Sequence, residues 1–309
     1  MKNLIPIIIC IILLAFISDT PKIQQFSLSI FAWSSYSTDL NLDGYNDIAV
    51  GHKTAWERTN QTVSFLYGNG NDFAPDTNYL NFCGYQDAIF AIKVNNDAYP
   101  DIICQHSDLS GNMAQRYIRV IYNQSGVFDL DSILDINLNT SEIVNYYTHG
   151  DINGDGWQDI VIASNNGYFW GVLFNDTQGS FLEPEYHFTD GYITMPGCGD
   201  INNDDKDEIF VPTTGKTLLF GYINGLVLFD TISTPFGIPF FCDFDNDFDN
   251  DIVCYDRQYP LGIVMHFYEN INNDSLFYNQ RRDIILNHYG NQVEIADLNN
   301  DNLPDLILD

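Results

Sequence analysis

The chain has 309 residues, 45% of them hydrophobic and 15% aromatic, which is enough apolar material for one large core or two ordinary ones. Its 12 Lys and Arg face 42 Asp and Glu, a formal net charge of −30, which excludes a nucleic-acid partner because phosphate binding needs a basic face that releases counterions. The 22 Phe and 19 Tyr favour strands over helices.

Residues 1–20 form the first unit. Lys2 gives a positive start, residues 4–17 are almost wholly apolar, and polar residues begin at Ser18. The run falls short of the roughly 20 residues a membrane span needs, so it reads as a secretory signal, with an uncleaved anchor as the alternative. The rest, 21–309, is then secreted, and a membrane is a partner only if the signal stays attached. The sequons at Asn60, Asn123, Asn139, Asn175 and Asn273 permit N-glycosylation and fit export.

Five cysteines follow the leader: Cys83, Cys104, Cys198, Cys242 and Cys254. An odd, scattered set is no disulfide framework, and it offers no zinc spacing. Cys104 and Cys254 close apolar runs and read as core residues. A Cys242–Cys254 bond is conceivable if their strands pair.

Six segments align on one pattern, Asp-x-Asn/Asp-x-Asp-x-x-x-Asp, at 39–47, 93–101, 151–159, 200–208, 243–251 and 297–305. Their starts lie 54, 58, 49, 43 and 54 residues apart, the spacing of propeller blades of about 40 to 50 residues with loop insertions. A short apolar run follows each segment at once, as at 48–50, 102–104 and 160–162, and continuous runs suit strands buried on both faces. Further on come aromatic strands that run into Asn/Gly turns, as at 65–73, 120–128 and 172–181, which read as hairpins. One repeat is therefore strand, acidic loop, strand, strand, turn, strand. The expected fold is all-β: a β-propeller of six four-stranded blades, or seven if more chain follows. Residues 23–30 are expected to supply the missing strand of the sixth blade and close the ring.

The spacing puts oxygen-bearing side chains at positions one, three, five and nine and turns the position-seven carbonyl inward. Ca²⁺ takes six to eight such oxygens in a flexible cage, whereas Mg²⁺ demands stricter octahedral geometry. The expected ligands are Asp39, Asn41, Asp43, Asp47 and the carbonyl of Tyr45 in the first loop. The third offers Asp151, Asn153, Asp155, Asp159 and the carbonyl of Trp157. The fourth offers Asp200, Asn202, Asp204 and Glu208, the fifth Asp243, Asp245, Asp247 and Asp251, and the sixth Asp297, Asn299, Asp301 and Asp305. Gly44 and Gly156 suit a left-handed sixth position. Lys93 occupies position one of the second loop, where its ammonium is expected to stand in the cation's place and leave that loop empty. A single such loop reads equally well as an acidic β-turn; six copies at blade spacing favour metal.

These loops and hairpins resemble the FG-GAP/VCBS repeat family, whose members include the propeller head of integrin α subunits. The resemblance implies that each loop joins the two innermost strands of a blade and staples them with Ca²⁺. The Phe-Gly and Gly-Ala-Pro elements of the family are poorly kept, so the broader VCBS type is the nearer likeness. It implies an extracellular module that binds a protein or glycan ligand and is not an enzyme. The alternatives are a glycan-active enzyme, using paired acids, and a lectin, using Trp56, Trp157 or Trp170 as stacking faces. The six scattered histidines form no catalytic motif; His149, two residues before Asp151, reads as a packing residue.

Overall fold

The computed structural model describes residues 32–52, 61–69, 73–75, 80–82, 89–108, 115–164, 166, 168–232, 237–244, 247, 249–258, 262–270, 281–286, 293–296 and 305–308. The expected signal and the expected closing strand at 23–30 lie outside them. Among the described residues every regular element is a strand.

The first sheet holds β1 (Ala32–Thr38), β2 (Asp47–His52), β3 (Gln61–Gly68), β4 (Phe73–Pro75) and β5 (Leu80–Phe82). Both β4 and β5 pair with β3, at different heights, so they form one interrupted outer strand. The second comprises β6 (Ile89–Ile92), β7 (Asp101–Asp108), β8 (Gln115–Asn123) and β9 (Phe128–Asn137). The third comprises β10 (Tyr146–Gly150), β11 (Asp159–Ser164), β12 (Phe169–Leu173) and β13 (Glu185–Phe188). The fourth runs through β14 (Gly197–Gly199), β15 (Glu208–Thr213), β16 (Lys216–Tyr222) and β17 (Leu226–Ile232), and the fifth through β18 (Ile238–Cys242), β19 (Asp251–Gln258), β20 (Gly262–Tyr268) and β21 (Arg281–Leu286). Each is an antiparallel meander in chain order.

Among the described residues the sixth repeat contributes the pair β22 (Val293–Ala296) and β23 (Asp305–Leu308). Among the described residues the propeller therefore has five blades, where six or seven were expected. The correction has a physical reason: the acidic motif dictates only the two strands it joins. A blade also needs the aromatic hairpin outside them, and no described segment supplies one to β22 and β23.

The second strands of blades 3 and 4 are buried throughout. All six residues of β11 and all six of β15 are out of solvent, as continuous apolar runs require in a sheet covered on both sides. Alternation along these strands sends side chains to opposite blade junctions. Ile160 and Ile162 pack with Ile103, Ile118 and Val120 of blade 2, whereas Val161 and Ala163 pack with Ile209 and Val211 of blade 4. Cys104 and Cys254 fall in such cores. Cys242 sits opposite Asp251, three register steps from Cys254, and neither cysteine is bonded. The first strands of neighbouring blades lie against each other, β1 on β6, β10 on β14 and β14 on β18. There His149 on β10 accepts from or donates to Tyr36 on β1 at 3.0 Å and Gln158 at 2.8 Å, and it stacks on Phe90, so it is a packing histidine.

Candidate metal centre

In every repeat, position nine is in register with the residue just before position one: Thr38 with Asp47, Ile92 with Asp101, Gly150 with Asp159, Gly199 with Glu208, Cys242 with Asp251 and Ala296 with Asp305. In the first four repeats the acidic loop is thus a closed turn across the inner two strands, and these loops emerge at the same end of the sheets.

The carboxylates hold that turn by accepting from its own amides. In the first loop, the Asp43 and Gly44 N–H groups donate to the two oxygens of Asp39 at 3.1 and 2.8 Å, Asp43 N–H also donates to Asn41, and Tyr45 N–H donates to Asp43. The third loop repeats all four bonds through Asp151, Asn153 and Asp155. The fourth keeps those to Asp200 and Asp204, and the fifth those of Asp247 to Asp243 and of Asp249 to Asp247. This wrapping drives the backbone left-handed twice: φ is 60° at Leu42 and 91° at Gly44, 73° at Gly154 and 85° at Gly156, and 56° at Asn203 and 64° at Asp205. Glycine bears this without strain; Leu42 does not.

Position nine does a different job. Asp47, Asp101, Asp159 and Asp251 are fully buried. One oxygen of each accepts the position-two amide, from Leu40, Val94, Ile152 and Phe244. The other accepts an amide at the end of the third strand, from Gly68, Asn123, Asn175 and Asn270, at 2.7–2.8 Å. Each of these acids therefore ties three strands of a blade together. Glu208 reaches the Ile201 amide with one oxygen and turns the other to the Asn202 side chain. Burial raises the carboxyls of Asp47, Asp101, Asp159 and Glu208 above the usual range; Asp101 is pushed to about 6, Asp159 to about 7 and Glu208 to about 8, and nearby loop acids add to the effect.

A set of residues not singled out in the sequence links one blade to the next. Asn123 donates its side-chain amide to Leu40 O and Pro100 O, Asn175 donates to Val94 O, and Asn270 donates to Ile201 O and Asn250 O. Three of these acceptors, Leu40, Val94 and Ile201, belong to position two of the preceding loop. The junction of blades 3 and 4 uses position eight instead. Asp207 N–H donates to Asp151 O at 2.8 Å while the Asp207 carboxylate accepts from Asp151 N–H at 2.7 Å, and Gly150 leaves the room for it, since a Cβ there would lie 2.6 Å from Asp207 Oδ2. Asn250 repeats the reach onto Asp200 O. The only sequence trace of the Asn device is an Asn after each aromatic strand. Its distance from position nine varies, 22, 16 and 19 residues, which hides it as a motif.

This burial bears on the sequons: Asn123 and Asn175 are enclosed with their amides engaged, so a glycan has no access to either in the fold, while Asn139 is exposed. Trp170 is wholly buried, and Trp157 is half-buried with the Lys93 ammonium over its ring, so neither is an open stacking face; Trp56 lies outside the described residues. Lys93 is likewise not centred in its own loop, where its ammonium was expected.

Of the expected ligands, Asp245, Asp297, Asn299 and Asp301, and the side chain of Asp305, lie outside the described residues. Among the described residues the remaining acids do not converge three at a time on one point. The donor chemistry of the first, third and fourth loops nevertheless suits a hard cation. Each has carboxylates, an amide oxygen and free carbonyl lone pairs within nine residues, and a carboxylate oxygen accepting one N–H keeps a second lone pair.

The FG-GAP-like repeat model matches residues 151–211, which span the third and fourth loops and the blade between them. Integrin alpha-7 from Rattus norvegicus and from Mus musculus is each 34% identical over 80 residues. Over residues 151–211 the chain is similar to the FG-GAP-like repeat. The matched stretch is 23% of this chain and 7% of those integrins, so the likeness concerns the repeat and not the whole of either protein. The V. cholerae biofilm matrix protein Bap1 superposes with a TM-score of 0.42 at 16% identity, over 79% of this chain and 38% of that one.

Proposed function

We propose that this FG-GAP-type propeller is a secreted binding module, directed at an extracellular protein or glycan, with Ca²⁺ as a structural ion in its loops. The observation that supports this most is the shared geometry of loops 39–47, 151–159 and 200–208, whose first acid gathers the turn's own amides in the same way in each. The residues that would hold the ion are those at positions one, three, five and nine together with the position-seven carbonyl. The ion would supply positive charge beside carboxyls that burial now disfavours as anions.

With one end of the sheets given to these loops, the ligand is assigned to the other. There Tyr168, in the turn between β11 and β12, and Tyr192, in the link from β13 to β14, meet at 5.0 Å with both rings partly exposed. Tyr168 is held at φ 54°, and Thr189 N–H binds its carbonyl at 2.8 Å. A strained, well-fastened aromatic residue at the surface is a mark of a working site.

Thermal unfolding with added Ca²⁺ and with excess chelator tests the ion. A ligand that binds only the native state stabilises it, by ~2.7 kcal/mol per site at a hundredfold excess over Kd, so an unchanged melting point would end the calcium reading. Arrays of glycans and of extracellular proteins, probed with the wild type and with Tyr168→Ala/Tyr192→Ala, test the surface. Retained binding by the double variant places the ligand elsewhere. Turnover of any glycan on the array would favour the enzyme alternative.

A further inference from the structure

The second loop has the repeat's spacing and its staple, but not its cation chemistry. Asp97 N–H donates to Asn95 at 2.8 Å, Tyr99 N–H donates to Asp97 at 2.9 Å, and Asp101 holds Val94 and Asn123 as its counterparts do. What differs is the first half. Lys93 has no carboxylate to receive the amides of positions five and six. Neither Asn96 nor Ala98 enters the left-handed region, which the equivalent residues occupy in loops 39–47, 151–159 and 200–208. The sixth position is alanine, whose Cβ penalises that conformation. A Ca²⁺ cage of the kind proposed for the other loops does not fit here.

The lysine is occupied elsewhere. Its Nζ lies 5.3 Å from the centre of the Trp157 ring, at position seven of the next blade's loop, and none of the ion pairs among the described residues includes it. An ammonium within about 6 Å of an indole face is attracted by the ring's quadrupole.

We infer that Lys93 is the resident cation of the junction between blades 2 and 3: it latches loop 93–101 onto Trp157, so that this loop needs no metal while its neighbours take one. The inference rests on the calcium reading for its contrast between loops but not for the latch. The latch also closes the Trp157 ring to a sugar, which removes that residue from the lectin alternative. It further ties loop 151–159, through the residue whose carbonyl would face its ion, to a blade that has no ion of its own.

Two measurements separate the parts. First, bound calcium per chain is counted by elemental analysis of desalted protein. Lys93→Asp/Ala98→Gly restores position one and frees position six, and it is expected to hold one ion more than the wild type; Lys93→Met/Ala98→Gly is expected to hold no more. An equal gain in both variants, or none in the first, overturns the metal-free assignment. Second, a double-mutant cycle of Lys93→Met and Trp157→Leu is read as melting temperature in excess chelator. The latch predicts single losses of about 1–3 °C that do not add in the double variant; additive losses overturn it. A wild type that binds no calcium ends the calcium reading alone, and the cycle then decides the latch by itself.

Discussion

Loops 93–101 and 151–159 sit side by side, share a register across their inner strands, and anchor themselves by the same buried aspartate, yet only one has a carboxylate at its first position to wrap around. In loop 151–159 the Asp151 carboxylate gathers the amides of Gly154, Asp155 and Gly156, and two left-handed glycines follow. In loop 93–101 that carboxylate is a lysine turned outward onto Trp157. The comparison divides the motif into two devices. Its last residue is a fold determinant, and its first residue decides the turn's inner lining.

The division is most severely tested at position nine. Asp159→Ala removes the acceptor for the Ile152 and Asn175 amides, and Asp101→Ala removes that for Val94 and Asn123. Two buried donors left unpaired, at roughly 1–3 kcal/mol each, predict a loss of about 3–5 kcal/mol for either variant in denaturant titration, with or without chelator. A tolerated Asp101→Ala beside a crippling Asp159→Ala would break the claim that the two loops share a staple.

Position one should then separate them. Asp151→Ala is expected to lower stability by about 1 kcal/mol in chelator, the value of a lost turn cap, and by more in calcium, with one bound ion fewer. Lys93→Ala should show the same small effect in both conditions. The inter-blade asparagines come next. Asn123→Ala loses bonds to Leu40 O, Pro100 O and the Gly126 amide, whereas Asn175→Ala loses those to Val94 O and the Thr177 amide, so the first should be the more costly, at about 2 against about 1 kcal/mol. The smallest effect is expected at Asn139: expressed in a glycosylating host, the chain should carry sugar there and none at Asn123 or Asn175, by peptide mass spectrometry, and Asn139→Gln should leave the melting point within about 1 °C.

Much of the fold was legible because its signals are local. The period of the acidic motif, the apolar run after it and the aromatic hairpin beyond it each dictate a turn or strand from neighbouring residues, and the all-β repeat followed from them. Blade number was not legible in the same way. The strands on either side of the motif at 297–305 pair in the same register as in the other repeats, but a blade is completed by strands the motif does not encode.

For the candidate site, the sequence alone determined which residues carry oxygen, at what spacing, and that Lys93 is the exception, since charge and chain order are properties of the residues themselves. Only the tertiary structure decided what those oxygens do. The carboxylate of Asp159 meets the amide of Asn175, the side chain of Asn175 meets the carbonyl of Val94, and Lys93 finds Trp157 because separate blades are brought edge to edge. Those partners lie at irregular distances along the chain, and no local rule fixes a contact made between blades.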